Sequence, residues 1–410
     1  MVSSASRKAR NTLTGGIGMV ATLMLPLPAG AQTNVVTAWN IVASSVTDNW
    51  RAPTIAHLAI HDSLNAIKRR FEPYAVDESA PPDTSPEAAV SAAAHRVLIR
   101  LVPAAAAIID AAYAQWLLAI PPGPRRDAGI ALGERVATRL MDLRADDGFF
   151  VQKVYNPTPG TGIWRPTPPA FTPAATPEWA TMRPFAMASP AQFRPDAPPA
   201  LTEGRYAVDY DEVRLIGALN SRLRTADQTD AVKYWAGHTQ PAYNRIARAA
   251  LEVHALDTWE QARLFALLNM ANSDASISTW DAKYTYGFWR PITAISDGDL
   301  DGNEKTVRDS LWQPFLNTPN HPEYAAGHSG SSGAAVRVLQ LVFGTDAIPT
   351  ISTGGSGVTR SFPNLSSIVD DVTTARIAAG AHFRFSCETA ARMGRQIGEF
   401  TVHRYLRPVK

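Results

Sequence analysis

Asn320-His-Pro-Glu-Tyr-Ala-Ala-Gly-His-Ser329 runs directly into Gly330-Ser-Ser-Gly-Ala-Ala-Val-Arg-Val-Leu-Gln-Leu-Val-Phe343. The first half reads as a loop with two histidines, the second as a helix of small and apolar residues. Where such a helix begins, its first N–H groups have no carbonyl partner and its dipole presents a positive end. Gly327 stands just ahead of that start and removes a side chain where backbone must approach a bound group closely. The junction therefore suits an anion.

Two other segments answer to it. Upstream lies Trp280-Asp-Ala-Lys283-Tyr-Thr-Tyr-Gly-Phe-Trp-Arg290-Pro291, and downstream Ala375-Arg376-Ile-Ala-Ala-Gly-Ala-His382-Phe-Arg384. A tetrahedral oxyanion loses its hydration on entering a protein and must meet fixed positive charge and donors there. Lys283, Arg290 and Arg376 supply charge, and the Gly327 amide supplies a donor. His328 and His382 suit two distinct tasks: proton exchange near neutral pH, and direct bonding to the central atom. Lys283 and Arg290 are two helical turns apart, so a continuing helix would turn both the same way. Gly287 and Pro291 predict a helix end near Arg290. Arg376 and His382, six apart, would diverge on a straight helix, which predicts a break near Gly380.

Lys283-x6-Arg290-Pro291, then Gly327-His328, then Arg376-x5-His382 resembles the three-part signature of the vanadium-dependent haloperoxidase and type 2 phosphatidic acid phosphatase superfamily. The signature covers residues 280–386. The resemblance implies an all-α fold of helical bundles, with oxoanion contacts from Lys283, Arg290, Gly327 and Arg376. It makes His328 the acid/base histidine and His382 the residue bonded to vanadate, with Lys283 assisting catalysis. It implies hydrogen peroxide and halide as small-molecule substrates. The same residues serve a soluble phosphatase, in which phosphate occupies the site and His382 becomes phosphorylated. A third reading is a helical protein that binds an oxyanion without turning it over. Three departures stand out: Ala325-Ala326 replaces Pro-Ser before Gly-His, Ala375 replaces the serine before the arginine, and Ser386 replaces the acid four after the last histidine. Ser329 is then a candidate to replace the lost hydroxyl, and Glu388 to orient His382. Trp280, His321 and Ser329 are candidates to line the pocket.

The remaining sequence reads as scaffold. With 410 residues, 45% of them hydrophobic, the chain is long enough for one large core or two adjoining ones. Arg7, Lys8 and Arg10, an uncharged stretch from Gly15 to Leu27, and Ala29-Gly30-Ala31 follow the order of a secretory signal peptide, which predicts export to the periplasm or medium after cleavage near Ala31. Removing residues 1–31 takes away three basic and no acidic residues, moving the formal charge from +2 to −1. That balance gives no support for nucleic-acid binding, and no later run has the length and apolarity of a membrane span. Cys387 is the sole cysteine, so no internal disulfide is available.

Composition divides the mature chain into a helical region at 32–155, a Pro-rich wrapping segment at 156–202, and a helical bundle at 203–410 carrying the site. Twelve prolines fall between Pro157 and Pro199, interleaved with Trp164, Phe171, Trp179, Phe185 and Phe193, which predicts an extended strap that packs down onto the surface. Helical periodicity runs through Val35–Ile67, Arg125–Arg144, Tyr206–Asn220, Asp227–Leu256, Trp259–Tyr286 and Glu388–Tyr405, with Pro103 breaking an alanine-rich region into two helices. His57 and His61 have the i, i+4 spacing of metal ligands but lack a third ligand nearby, and read as packed histidines. Asp62 beside them is a candidate buried partner for a site cation. Asp297-Gly-Asp299-Leu-Asp301-Gly302 opens like a calcium loop, but its twelfth position is Arg308, so it reads as a polar turn.

Overall fold

A helix of 29 residues, Thr258–Tyr286, is the axis about which the others pack. At about 1.5 Å per residue it extends roughly 43 Å. Asp257 caps it, accepting from the Trp259 and Glu260 amides, while the Glu260 side chain reaches back to close a capping box. The computed structural model describes residues 34–409, so the expected signal peptide lies outside the described residues. In chain order the α-helices are α1 (Val35–Val46), α2 (Arg51–Ile67), α3 (Pro86–Leu101), α4 (Ala106–Ala119), α5 (Pro124–Leu143), α6 (Gly204–Ile216), α7 (Ala226–Tyr234), α8 (Thr239–Val253) and α9, the axial helix. They continue with α10 (Pro291–Ser296), α11 (Gly327–Phe343), α12 (Ser366–Ala378) and α13 (Arg384–Arg404). The expected all-α bundle is thus present, and α2, α11 and α13 pack directly on α9. Its one addition is a small antiparallel hairpin of β1 (Thr350–Thr353) and β2 (Thr359–Phe362), with Thr350 opposite Phe362.

Two expected helical runs are interrupted. Val35–Ile67 breaks at Thr47–Trp50, where the Asn49 side chain accepts from the Ala52 amide and Pro53 occupies the first turn of α2. Asp227–Leu256 breaks at Trp235–His238, between α7 and α8. Both breaks face the cavity described below. The break expected at Gly380 is present: α12 ends at Ala378 and Gly380 takes φ +73°. A β-carbon there would stand 2.6 Å from the Gly217 carbonyl oxygen, so only glycine fits. The end of α9 is also where expected, with Gly287 as its left-handed cap. Arg290 consequently lies beyond the helix, at the N-cap of α10.

Among the described residues α11 and α13 pack on each other most extensively. A β-carbon on Gly394 would come within 1.9 Å of the Gly330 carbonyl oxygen, so the two backbones touch.

The Pro-rich segment packs down along α9. Trp164 is buried, and its amide donates to the Gly287 carbonyl at 2.7 Å. Asp274, buried in the middle of α9, accepts from the amides of Phe185, Ala186 and Met187 at 2.6, 2.7 and 2.8 Å. Burial pushes its carboxyl up to about 6, against the pull of those three donors. Replacing it by alanine strands three donors in the interior. We expect Asp274→Ala to lose about 3–5 kcal/mol of unfolding free energy in urea, with early proteolysis within 183–200. An unchanged urea midpoint would show that the strap is held elsewhere.

Asp62 does not pair with a site cation. Its carboxylate accepts from the amides of Tyr74, Ala75 and Val76 at 2.7, 3.0 and 2.9 Å, fastening the chain after α2 as Asp274 fastens the strap. His57 sits 3.0 Å from the Asn40 side chain and His61 3.3 Å from the Glu72 carbonyl. Burial lowers both imidazoles to about 3, keeping them neutral. In the Asp297–Gly302 turn, Asp297 pairs with Arg165 at 2.6 Å and Asp301 accepts from Thr306 at 2.9 Å. Among the described residues no single helix is long and apolar enough to cross a membrane.

Candidate active site

The three segments meet at one cavity of about 840 Å³. Gly327, His328, Arg376 and His382 line it, together with Trp280 and His321. Gly327 and His328 enter on the first turn of α11, and Arg376 from the last turn of α12. His382 comes from the short stretch released by the break at Gly380.

His382 is held in one orientation. Its Nδ1–H donates to Glu323 Oε1 at 2.8 Å, and the Phe383 amide donates to the same oxygen at 3.1 Å. An imidazole that donates from Nδ1 keeps its lone pair on Nε2. That nitrogen stands 3.2 Å from Arg290 Nη1. Burial, then the charges of Arg290 and Lys283, holds the His382 imidazole well below its usual range, so the ring is neutral and its Nε2 lone pair accepts from Arg290 Nη1, a contact that a ligand at Nε2 would have to replace. Burial pushes the Glu323 carboxyl up to about 7, with Lys283 and Arg290 pulling it back down. The expected orienting acid, Glu388, instead pairs with Arg205 at 2.9 Å on the surface. It lies on α13, six residues beyond His382, whereas Glu323 folds back from the opening loop.

The three cations are buried. Lys283 Nζ donates to the carbonyls of Pro322 and Glu323 at 2.9 and 2.8 Å, which places it behind the loop and not on the cavity wall. Arg290 donates to the carbonyls of His321 and Ala381 at 2.8 and 2.9 Å, and its Nη2 lies 2.9 Å from His321 Nδ1. Arg376 has one long bond, to the Trp235 carbonyl at 3.4 Å, and its Nε has no partner. Among the described residues none of the three forms an ion pair with a carboxylate. Burial accordingly depresses all three: Lys283 well below its usual value, Arg290 to about 9 and Arg376 to about 10. A buried surplus of positive charge facing a polar hollow is stabilised by an anion that brings its own acceptors. The unpartnered Arg376 Nε and the neutral His382 imidazole fit an oxyanion such as vanadate or phosphate.

His328 bonds through Nε2 to the Gly237 carbonyl at 3.0 Å, in the turn between α7 and α8. Burial and the nearby Arg376 charge lower its imidazole to about 3. With Nε2–H donated to a carbonyl, Nδ1 is the nitrogen left to receive a proton.

Ser329 is the exception among the expected lining residues. It is fully buried and absent from the cavity wall, while Ser331 lines it. The reason is helical phase: residues 327 and 331 are i, i+4 neighbours on one face, and residue 329 is turned away from them. Ser329 therefore does not replace the hydroxyl missing at Ala326.

The rest of the wall was not expected from the sequence. It comes from Trp50 after α1, Phe149 after α5, Trp179 in the strap and Gly237 before α8. Only the clustering of aromatics between prolines hinted at Trp179.

The family model described as the VCPO second helical-bundle domain matches residues 263–410. Vanadium chloroperoxidase of Curvularia inaequalis is 27% identical over 426 residues, covering 80% of this chain and 69% of that protein. A structure described as the first bacterial vanadium-dependent iodoperoxidase aligns with a TM-score of 0.77 at 23% identity, covering 92% of this chain and 95% of that one. The holo form of a bacterial vanadium-dependent chloroperoxidase aligns with a TM-score of 0.68 at 17% identity, covering 88% and 91%. Both structural likenesses are likenesses of fold. The three-part signature lies on the matched bundle, and these likenesses support the superfamily of vanadium-dependent haloperoxidases and type 2 phosphatidic acid phosphatases.

Proposed function

We propose that this protein is a vanadate-dependent haloperoxidase-like enzyme that oxidises halide with hydrogen peroxide. The observation that carries this reading is the neutral His382, fixed by Glu323, with its Nε2 lone pair beside buried arginines that form no ion pair among the described residues. In this reading His382 Nε2 holds the metal. Arg376 and the Gly327 amide would hold the oxygens from the cavity wall, while Arg290 beside His382 and Lys283 behind the loop would add positive charge. Glu323 keeps His382 in the tautomer a ligand needs. His328 takes a proton at Nδ1 from the incoming peroxide and returns it later, while its Nε2–H stays on Gly237. Bound vanadate supplies a Lewis-acidic centre that makes peroxide electrophilic toward halide. The basic, apolar and Ala-x-Ala order at residues 7–31 supports an exported enzyme.

A paired assay of one purified sample tests the reading. After vanadate loading, peroxide-dependent oxidation of bromide or iodide is expected. Hydrolysis of a phosphate monoester by the vanadate-free protein, inhibited by vanadate and without halide oxidation, would establish the phosphatase chemistry instead. Inactivity in both assays would leave an oxyanion-binding protein.

A further inference from the structure

Two site side chains lean on one turn. Between α7 and α8 the chain runs Trp235-Ala-Gly-His238. The Gly237 carbonyl accepts from His328 at 3.0 Å, and the Trp235 carbonyl accepts from Arg376 at 3.4 Å. A connecting turn moves unless something ties it down. This one is tied through the Trp235 ring. Ala236, Gly237 and His238 line the cavity, while Trp235 lies buried behind them, edge-on to Tyr234 at 4.8 Å and 5.6 Å from Tyr243. Its Nε1–H donates to Asp371 Oδ2 at 2.7 Å.

Asp371 stands on α12, five residues before Arg376, so the turn is fastened to that helix twice, by indole and by carbonyl. The other Asp371 oxygen pairs with Arg360 of β2, which also reaches Asp227 in the first turn of α7 at 2.5 Å. An N–H bonded to a carboxylate is shorter and stronger than a neutral pair. Only 11% of the Asp371 side chain is exposed, so solvent weakens the bond little. The outer pair is different: the Asp227 side chain is 77% exposed, and such pairs contribute little.

We infer that Asp371 and Trp235 are positioning residues for the oxyanion floor. Their bond fixes the 235–238 turn, and the carbonyls of that turn set the tautomer of His328 and the aim of Arg376. The inference rests on the roles proposed above for those two side chains. With Nε2–H donated to Gly237, His328 keeps its lone pair on Nδ1, the atom assigned to proton exchange. A slack turn lets the Nδ1–H and Nε2–H forms mix, and it takes an acceptor from a buried guanidinium. Anion binding and proton exchange both suffer, although neither Asp371 nor Trp235 lines the cavity.

Trp235→Phe removes the indole N–H and keeps a ring in the same packing. Asp371→Ala removes the same bond from the other side and is expected to match it. Arg360→Met leaves the bond in place and gives up the outer pairs. The tautomer is read by nitrogen NMR of vanadate-free protein with isotope-labelled histidine, the His328 signals being those lost in His328→Gln. The parent and Arg360→Met should show the Nε2–H form alone, and the other two variants a mixture. Vanadate affinity by equilibrium dialysis should weaken about tenfold in Trp235→Phe and Asp371→Ala. Halide oxidation at saturating vanadate should fall about tenfold as well. Melting temperature, by contrast, is expected to drop in all three. A folded Trp235→Phe or Asp371→Ala with the parent tautomer and an affinity within about threefold of the parent would overturn the inference. Mixing in Arg360→Met would overturn it too, because loosening alone would then move His328. Mixing confined to the two bond-breaking variants, in a protein that oxidises no halide, would sustain the clamp and sink the peroxidase reading.

Discussion

His382→Ala is expected to abolish peroxide-dependent halide oxidation, by at least about 10³-fold, and to lose vanadate on dialysis. The imidazole is fixed by Glu323 and keeps its Nε2 lone pair beside Arg290. Alanine removes the metal's bond and also leaves the Glu323 carboxyl without its main donor. That carboxyl already sits near 7 through burial, so it can take up a proton and remain neutral at modest cost. The variant should therefore fold. The decisive measurement is equilibrium dialysis against vanadate beside a thermal melt. Retention of vanadate within threefold of the parent, in a protein of unchanged melting temperature, would remove His382 from the proposed role.

Arg376→Met is expected to move two properties in opposite directions. In the vanadate-free protein Arg376 is buried, with one long bond and an unpartnered Nε. Its desolvation is not offset by any ion pair, and burial already lowers it to about 10. An apolar side chain of similar length should therefore stabilise the vanadate-free protein, by about 1–3 kcal/mol in urea. Vanadate affinity should fall at least about a hundredfold, because a charge-assisted donor to the anion is lost. If the substitution destabilises the vanadate-free protein and leaves affinity unchanged, Arg376 is a structural residue and the cavity floor has been misassigned.

The oxyanion floor was legible because each of its parts is short and local. Lys283, Arg290, Gly327, His328, Arg376 and His382 sit in three segments whose internal spacings carry the chemistry, and even the break at Gly380 followed from the need to bring residues 376 and 382 together. Long-range partnerships were not legible. Glu323 stands in the most informative stretch of the chain, yet nothing in its spacing shows that the loop folds back onto residue 382, and Glu388 was favoured only by closeness in sequence. Ser329 failed for a local reason, since the helix begins at Gly327 and its phase turns that residue inward. The breaks after Val46 and Tyr234 were hidden because periodicity resumes in a similar pattern on each side. Those breaks carry Trp50 and Gly237, which is why the outer wall was missed as well.

The seam between α11 and α13 gives the site its character. Because Gly330 and Gly394 bring the two backbones into contact, the first turn of α11 has no room to slide or roll. The cradle is thus set before any guest arrives, and the guest need not spend affinity on assembling it. The mouth is built from turns and strap, where residues can be exchanged without disturbing that seam. A chain so divided can change its clientele at the rim while its chemistry at the floor stays the same.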